Sequence, residues 1–204
     1  MFKRRFPISF LFALSMLQLV SCNGQNKSMT VQKSEPTAER TQIPKVTEMS
    51  ALALTSIMDV ENISKYSSSC GQENYKEKDE YYNITFQDKG QPYFFVHAML
   101  DGTIIYMQKL FPVGKTKSSL TTSKDANKIG SDFLLQKLNV GKDKYILTKT
   151  EQEKAGKGID AYWILTFDKN PSFKNPKVPN SLVLKIHPKT EEIMVIEYKY
   201  PISN

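Results

Sequence analysis

Asp101-Gly102 is the feature that most restricts the fold. Two stretches with strand character, residues 92–99 and 103–109, flank it. Both central residues of a tight two-residue turn need positive φ, and Asp-Gly tolerates it, so the pair reads as an antiparallel hairpin. Residues 80–86 form a third strand candidate ahead of it. Upstream, Met49, Leu52, Ala53, Ile57 and Val60 recur at three- and four-residue steps, with Thr47 or Ser50 as N-cap, which predicts a helix from Thr47. A polar loop through Lys78 is expected between helix and strands.

A second unit begins near Leu120. Thr121, Thr122 and Ser123 offer N-caps, and Ala126, Ile129, Phe133, Leu134 and Leu138 make one apolar helical face. Gly141 suits the left-handed position beyond the helix end. Gly130 inside the helix weakens it by roughly 1 kcal/mol relative to Ala, unless close packing requires it. Strands are expected at 144–152, 159–168, 181–187 and 193–200. Pro171, Pro176 and Pro179 make residues 170–180 a loop. The fold class is therefore α+β, a helix packed on an antiparallel sheet. The halves look alike: Tyr81-Tyr82-Asn83-Ile84-Thr85-Phe86 parallels Tyr162-Trp163-Ile164-Leu165-Thr166-Phe167, and Val96-His97 parallels Ile186-His187. Half-buried strands share such residues anyway, which accounts for part of the likeness.

The N-terminus carries a different signal. Lys3, Arg4 and Arg5 precede a nearly unbroken apolar run of about a dozen residues, 8–20. A membrane-crossing helix needs about 20, so residues 1–21 read as a secretory signal. The run ends in Leu19-Val20-Ser21-Cys22, which resembles the lipobox of bacterial lipoproteins. The resemblance implies cleavage between Ser21 and Cys22 and attachment of acyl chains, palmitate among them, to Cys22. One buried chain holds a protein only marginally, at roughly 0.8 kcal/mol per CH₂, whereas two or three make a stable anchor. Asn23 after the cysteine favours, by the same analogy, the outer membrane facing the periplasm. Residues 22–46 are polar and unpatterned, with Pro36 and Pro44, and are expected to be a flexible tether.

Charge adds little. The chain has 28 Lys and Arg against 21 Asp and Glu, but three of the cations lie in residues 1–21. The mature chain thus carries 25 against 21, or +4. Basic and acidic residues are mixed through 109–149, with no aromatic-interleaved basic stripe, so no nucleic-acid partner is expected. About 183 mature residues suit one ordinary domain or two small ones.

The second unit is similar to the PepSY domain. The residues that carry the likeness are Thr122-Ser123-Lys124-Asp125-Ala126 opening the helix, the strand 182–186, the turn Pro188-Lys189-Thr190 and the strand 193–196. It departs from the family where His187 replaces the Asp before the turn and Glu191 replaces the turn Gly, which tolerates positive φ. The resemblance implies a small helix-on-sheet module that binds or restrains other proteins, peptidases included. The expected division is residues 47–112 as a degenerate unit and 113–204 as a PepSY-like unit, one such unit or two in tandem.

Candidate site residues are few. Cys70 is the one cysteine left once Cys22 is acylated, so no internal disulfide can form; it reads as a small hydrophobe or, alternatively, as a thiol nucleophile. His97 and His187 read as half-buried strand residues or as a metal pair or base, but no third ligand at metal spacing accompanies them, and no metal or cofactor is expected. Gly114-Lys115-Thr116 lacks the Gly of a phosphate loop five residues earlier, where Lys109 stands. Asn62-Ile63-Ser64 and Asn83-Ile84-Thr85 match a glycosylation acceptor, which has no meaning if the source is bacterial, as the lipobox resemblance implies. Strand alternation sets Tyr81, Asn83 and Thr85 opposite Tyr82, Ile84 and Phe86. Tyr81, and by analogy Tyr162, are thus the candidate exposed binding surface. The expected function is non-catalytic protein or peptide binding from a membrane anchor. The alternatives are a carrier of a small apolar ligand and a thiol enzyme using Cys70 with a histidine.

Overall fold

The computed structural model describes residues 38–75, 79–112, 114–116, 120–153, 156 and 161–200. The signal, Ser21, Cys22 and the first part of the expected tether lie outside them. Helix α1 (Ala38–Ser56) is followed by a short 3₁₀ turn (Ile63–Lys65) and four strands, β1 (Ser67–Tyr75), β2 (Asp79–Asp88), β3 (Gln91–Met99) and β4 (Ile104–Lys109). Helix α2 (Ser123–Lys137) is followed by β5 (Tyr145–Gln152), β6 (Trp163–Lys169), β7 (Ser181–Ile186) and β8 (Ile193–Lys199). All eight strands form one antiparallel sheet in the order β1-β2-β3-β4-β8-β7-β6-β5. Each half is thus a helix and a four-strand meander, and the last strands of the two meanders pair. The α+β expectation holds, but the two expected units share one sheet.

One row of side chains ties the sheet together. Ile84, Val96, Met107, Ile196, Leu184 and Leu165 lie opposite one another across six adjacent strands, and each is 0 % exposed. Burial on that scale contributes about 1.5–3 kcal/mol per side chain. Both helices cover the same face, because Val46 and Leu54 of α1 and Ala126 and Leu134 of α2 join a single core with this row. Gly130 explains itself here. A Cβ on it would sit 2.5 Å from Leu165 Cδ2 and 3.3 Å from Phe167 Cζ, so the helix lies closer to the sheet than any larger residue allows. At the corresponding turn of α1 stands another small residue, Ser50, fully buried, whose hydroxyl donates to the Val46 carbonyl.

Several local expectations are corrected. The helix starts at Ala38 rather than Thr47, so the last nine residues of the expected tether, 38–46, are helical. The segment is polar, but Val46 docks in the core and the Tyr82 hydroxyl donates to Gln42 at 3.3 Å. The buried stripe of α1 runs through Val46, Ser50, Ala53 and Leu54, which leaves Met49 half-exposed and Leu52 67 % exposed. Residues 67–75, expected as loop, form β1, which pairs with β2 along its whole length. Asn139, not Gly141, takes the left-handed position after α2, at φ 52°. Its side chain tolerates that region, and Val140 N–H then returns to the Leu134 carbonyl. The same device ends α1: Asp59 is left-handed, and Val60 N–H returns to Leu54.

The turn between β7 and β8 answers the two family departures. Glu191 does take a positive φ, 61°. The turn is closed by Glu191 N–H to the His187 carbonyl and by His187 N–H to the Glu192 carbonyl, both at 2.9 Å. His187 Nδ1 accepts from the Thr190 N–H at 3.1 Å, as an Asp carboxylate would.

Candidate binding surfaces

The helix-free face of the sheet carries the densest polar and aromatic grouping. Alternation along β2 puts Tyr82, Ile84 and Phe86 in the core and turns Tyr81, Asn83 and Thr85 the other way. Tyr81 is not exposed there, as the sequence suggested, but 9 % exposed. Its ring lies against His97, with centroids 4.9 Å apart, and its hydroxyl donates to Glu73 at 2.9 Å. His97 in turn stacks on Tyr106 at 4.9 Å with the planes 27° apart, and the Tyr106 hydroxyl donates to Gln108. The Asn83 amide donates to the second oxygen of Glu73 at 2.9 Å, while its own Oδ1 is buried without a hydrogen-bond partner.

This grouping has a defined electrostatic character. Burial lowers the His97 pKa, and the Glu73 carboxylate only partly restores it. Hydrogen bonds from Asn83 and then Tyr81 hold the Glu73 carboxyl below its usual range, with a smaller contribution from His97. The cluster is thus a neutral, half-buried aromatic shelf with one exposed carboxylate at its rim.

The other candidate residues do not join it. Tyr162 is half-buried, just before β6, with its ring edge-on to His187 at 5.7 Å. The first internal likeness agrees with the register: Ile84 and Leu165 both lie in the central row, so Tyr81 and Tyr162 stand three residues before equivalent points. The second does not. His97 is one residue past the row in β3, where β7 has Lys185, whereas His187 lies beyond the end of β7 in the turn, 3 % exposed. The two histidines are therefore not counterparts.

Cys70 faces the core across from Ile84, and burial pushes its thiol pKa up. His97 is on the opposite face of the sheet, so the pair a thiol enzyme would need is not assembled. Among the described residues no group of three or more His, Cys, Asp or Glu could hold a metal. Gly114 is no phosphate loop: its N–H donates to the Glu192 carboxylate, and a Cβ there would meet that oxygen at 2.5 Å.

Two open grooves lie on the helix side. One, about 700 Å³, runs from the end of α1 past Tyr66 to Ile129 and Phe133 of α2. Its floor holds Lys109, 6 % exposed, paired with Glu192 at 3.2 Å. Sequence reasoning missed this pair, because a Lys at a strand end normally reaches solvent and its partner lies 83 residues away. The other groove, about 720 Å³, lies between α2 and the edge strand β5. Neither is the enclosed apolar cavity that a carrier of a small ligand requires.

A one-sided antiparallel sheet of eight strands with a helix ahead of each meander defines the fold as α+β. Among solved structures, the C-terminal domain of YpeB from Bacillus megaterium is similar to this chain, with a TM-score of 0.53 and 13 % sequence identity. The match covers 74 % of this chain and 62 % of that one, so the chain spans less than two thirds of that domain. No protein-family model matches the sequence, and no curated protein does. The likeness is therefore one of fold.

Proposed function

We propose that this chain is a lipid-anchored protein of the cell envelope whose folded part binds a protein or peptide partner without catalysing a reaction. The observation that carries the binding reading is the one-sided sheet. Both helices pack on one face, and the other offers half-buried Phe95, His97, Tyr106 and Ile164, with no described element over them. Aromatic side chains held rigid by stacking are the usual anchors of protein interfaces. The fold likeness to the YpeB domain supports a PepSY-like, non-catalytic module, and the helix-plus-meander order in each half supports two such units in tandem, the first degenerate. Restraint of a peptidase is the role we favour for the partner interaction. In this reading Cys22 carries the acyl chains and holds the protein on the outer membrane, facing the periplasm.

Two experiments test the halves separately. Metabolic labelling with a fatty-acid analogue should mark the protein, and Cys22→Ala should abolish the label; label retained in that variant removes the anchor. Crosslinking with pull-down of the tethered protein should recover one partner, and Tyr106→Ala with His97→Ala should lose it. Recovery unchanged in that double variant removes the helix-free face from the reading.

A further inference from the structure

The two edges of the sheet are unlike. β1 presents Ser67, Ser68, Ser69, Gly71, Gln72 and Glu73, all exposed, and offers a second strand little apolar surface to cover. β5 opens with Tyr145, Ile146 and Leu147. An edge strand carries a row of unpaired N–H and C=O groups, and their direction follows from the hydrogen bonds to β6. Asn170 N–H donates to the Lys144 carbonyl, so residues 144 and 146 turn their backbone groups inward and Leu147 turns its groups outward. Past the bulge between Leu147 and Lys149, Glu153 N–H donates to the Tyr162 carbonyl. By the same alternation Thr150 faces outward. Among the described residues no strand lies beyond β5.

Apolar surface flanks this edge on both sides. On the helix side Leu135, 59 % exposed, joins Leu134, Val140, Leu147 and Phe167 around the groove of about 720 Å³. On the helix-free face Ile146 is 44 % exposed. A strand added about 4.8 Å away sets alternate side chains into the groove against Leu135 and Val140, and the remaining ones over Ile146.

We infer that the β5 edge accepts an extended, apolar segment of a partner protein as a ninth strand. This rests on the binding-module reading and gives it a second, backbone-mediated contact. Main-chain hydrogen bonds at Leu147 and Thr150 supply the register, and the groove supplies preference for apolar residues at alternate positions. A second copy of this chain is a poorer occupant. Two bulged strands set against each other bend apart, whereas one regular segment follows a single bend.

The test uses the full chain and a fluorescein-labelled peptide of alternating Val and Thr. Binding should be saturable and should protect the amides of Leu147 and Thr150, but not that of Gln72, from hydrogen exchange. Leu135→Glu, a change at an exposed site, should weaken binding by about tenfold or more with the circular dichroism unchanged. N-methylation of alternate peptide residues should abolish binding in one parity only. No binding up to the peptide's solubility limit, unchanged affinity in the variant, or protection at β1 instead overturns the inference. So does a concentration-dependent dimer that protects Leu147 without peptide. If crosslinking recovers the same partner with wild type and Leu135→Glu, the binding module stands and this edge is not its site.

Discussion

Gly130 sits where α2 touches β6, and its smallness sets how near the helix can come. Gly130→Ala should gain about 1 kcal/mol of helix propensity and lose more to overpacking, typically 1–3 kcal/mol, because Leu165 is fully buried and has nowhere to move. The net expectation is a urea midpoint lowered by about 1 kcal/mol of stability, against the rise that propensity alone predicts. His97 sets a pH dependence. Its folded pKa lies below its ordinary 6.5, so in that window the unfolded chain binds more protons. Stability therefore falls as pH drops below about 6.5 and stops falling once pH is below the folded value. Glu73, whose folded pKa lies below 4.5, adds a separate loss as pH falls through its folded value. His97→Gln should remove the loss of thermal stability that begins as pH drops below about 6.5 and leave the more acidic limb, which belongs to Glu73, in place. At this scale the sequence was partly legible. The special role of Gly130 was conditional on packing that only the fold supplies, and the face of Tyr81 was read correctly from alternation. Its burial was not, because the cover comes from His97 on the next strand.

The elements were legible where a local rule dominates. Thr122 caps α2 as its position suggested: Oγ1 accepts from the Asp125 N–H at 3.2 Å and the hydroxyl donates to the Asp125 carboxylate. Thr122→Ala should cost about 1 kcal/mol, read as a lowered denaturation midpoint, and Thr122→Ser should restore most of it. β1 was invisible because Ser, Gly and Asn have low strand propensity, and pairing with β2 overrides that. The β4 end and the β7–β8 turn are joined by Lys109 and Glu192, a tie between elements that no window of sequence contains. Lys109→Met takes a buried ammonium away from Glu192, which keeps its hydrogen bond from the Gly114 N–H, and should cost about 1–3 kcal/mol. Lys109→Met combined with Glu192→Gln should recover much of that, which a double-mutant cycle by urea denaturation measures. Additive losses would show that the pair is not coupled.

Over the whole molecule, the junction between β4 and β8 decides what counts as a folding unit. Met107 and Ile196 face each other across it and are fully buried. Cutting the chain near residue 113 would leave each half with an open, apolar last strand. Neither 36–112 nor 113–204 should fold alone, and the intact body should unfold in one transition by circular dichroism and fluorescence together. Two separated transitions would contradict this. The sequence by itself determined the α+β class, seven of the eight strands, both helices and a hairpin at Asp101-Gly102, but not its turn: Asp101 keeps negative φ, only Gly102 is at positive φ, and Gly102 N–H donates to the Met99 carbonyl across Leu100-Asp101. The elements it determined depend on periodicity and turn chemistry, which act over a few residues. Only the tertiary structure decided that the two meanders join into one sheet, that α1 reaches back to Ala38, that His97 and His187 are unrelated, and that Cys70 and His97 are kept on opposite faces. Those outcomes depend on which strand lies beside which, and that is set by burial of the shared central row across positions more than a hundred residues apart, from Ile84 to Ile196.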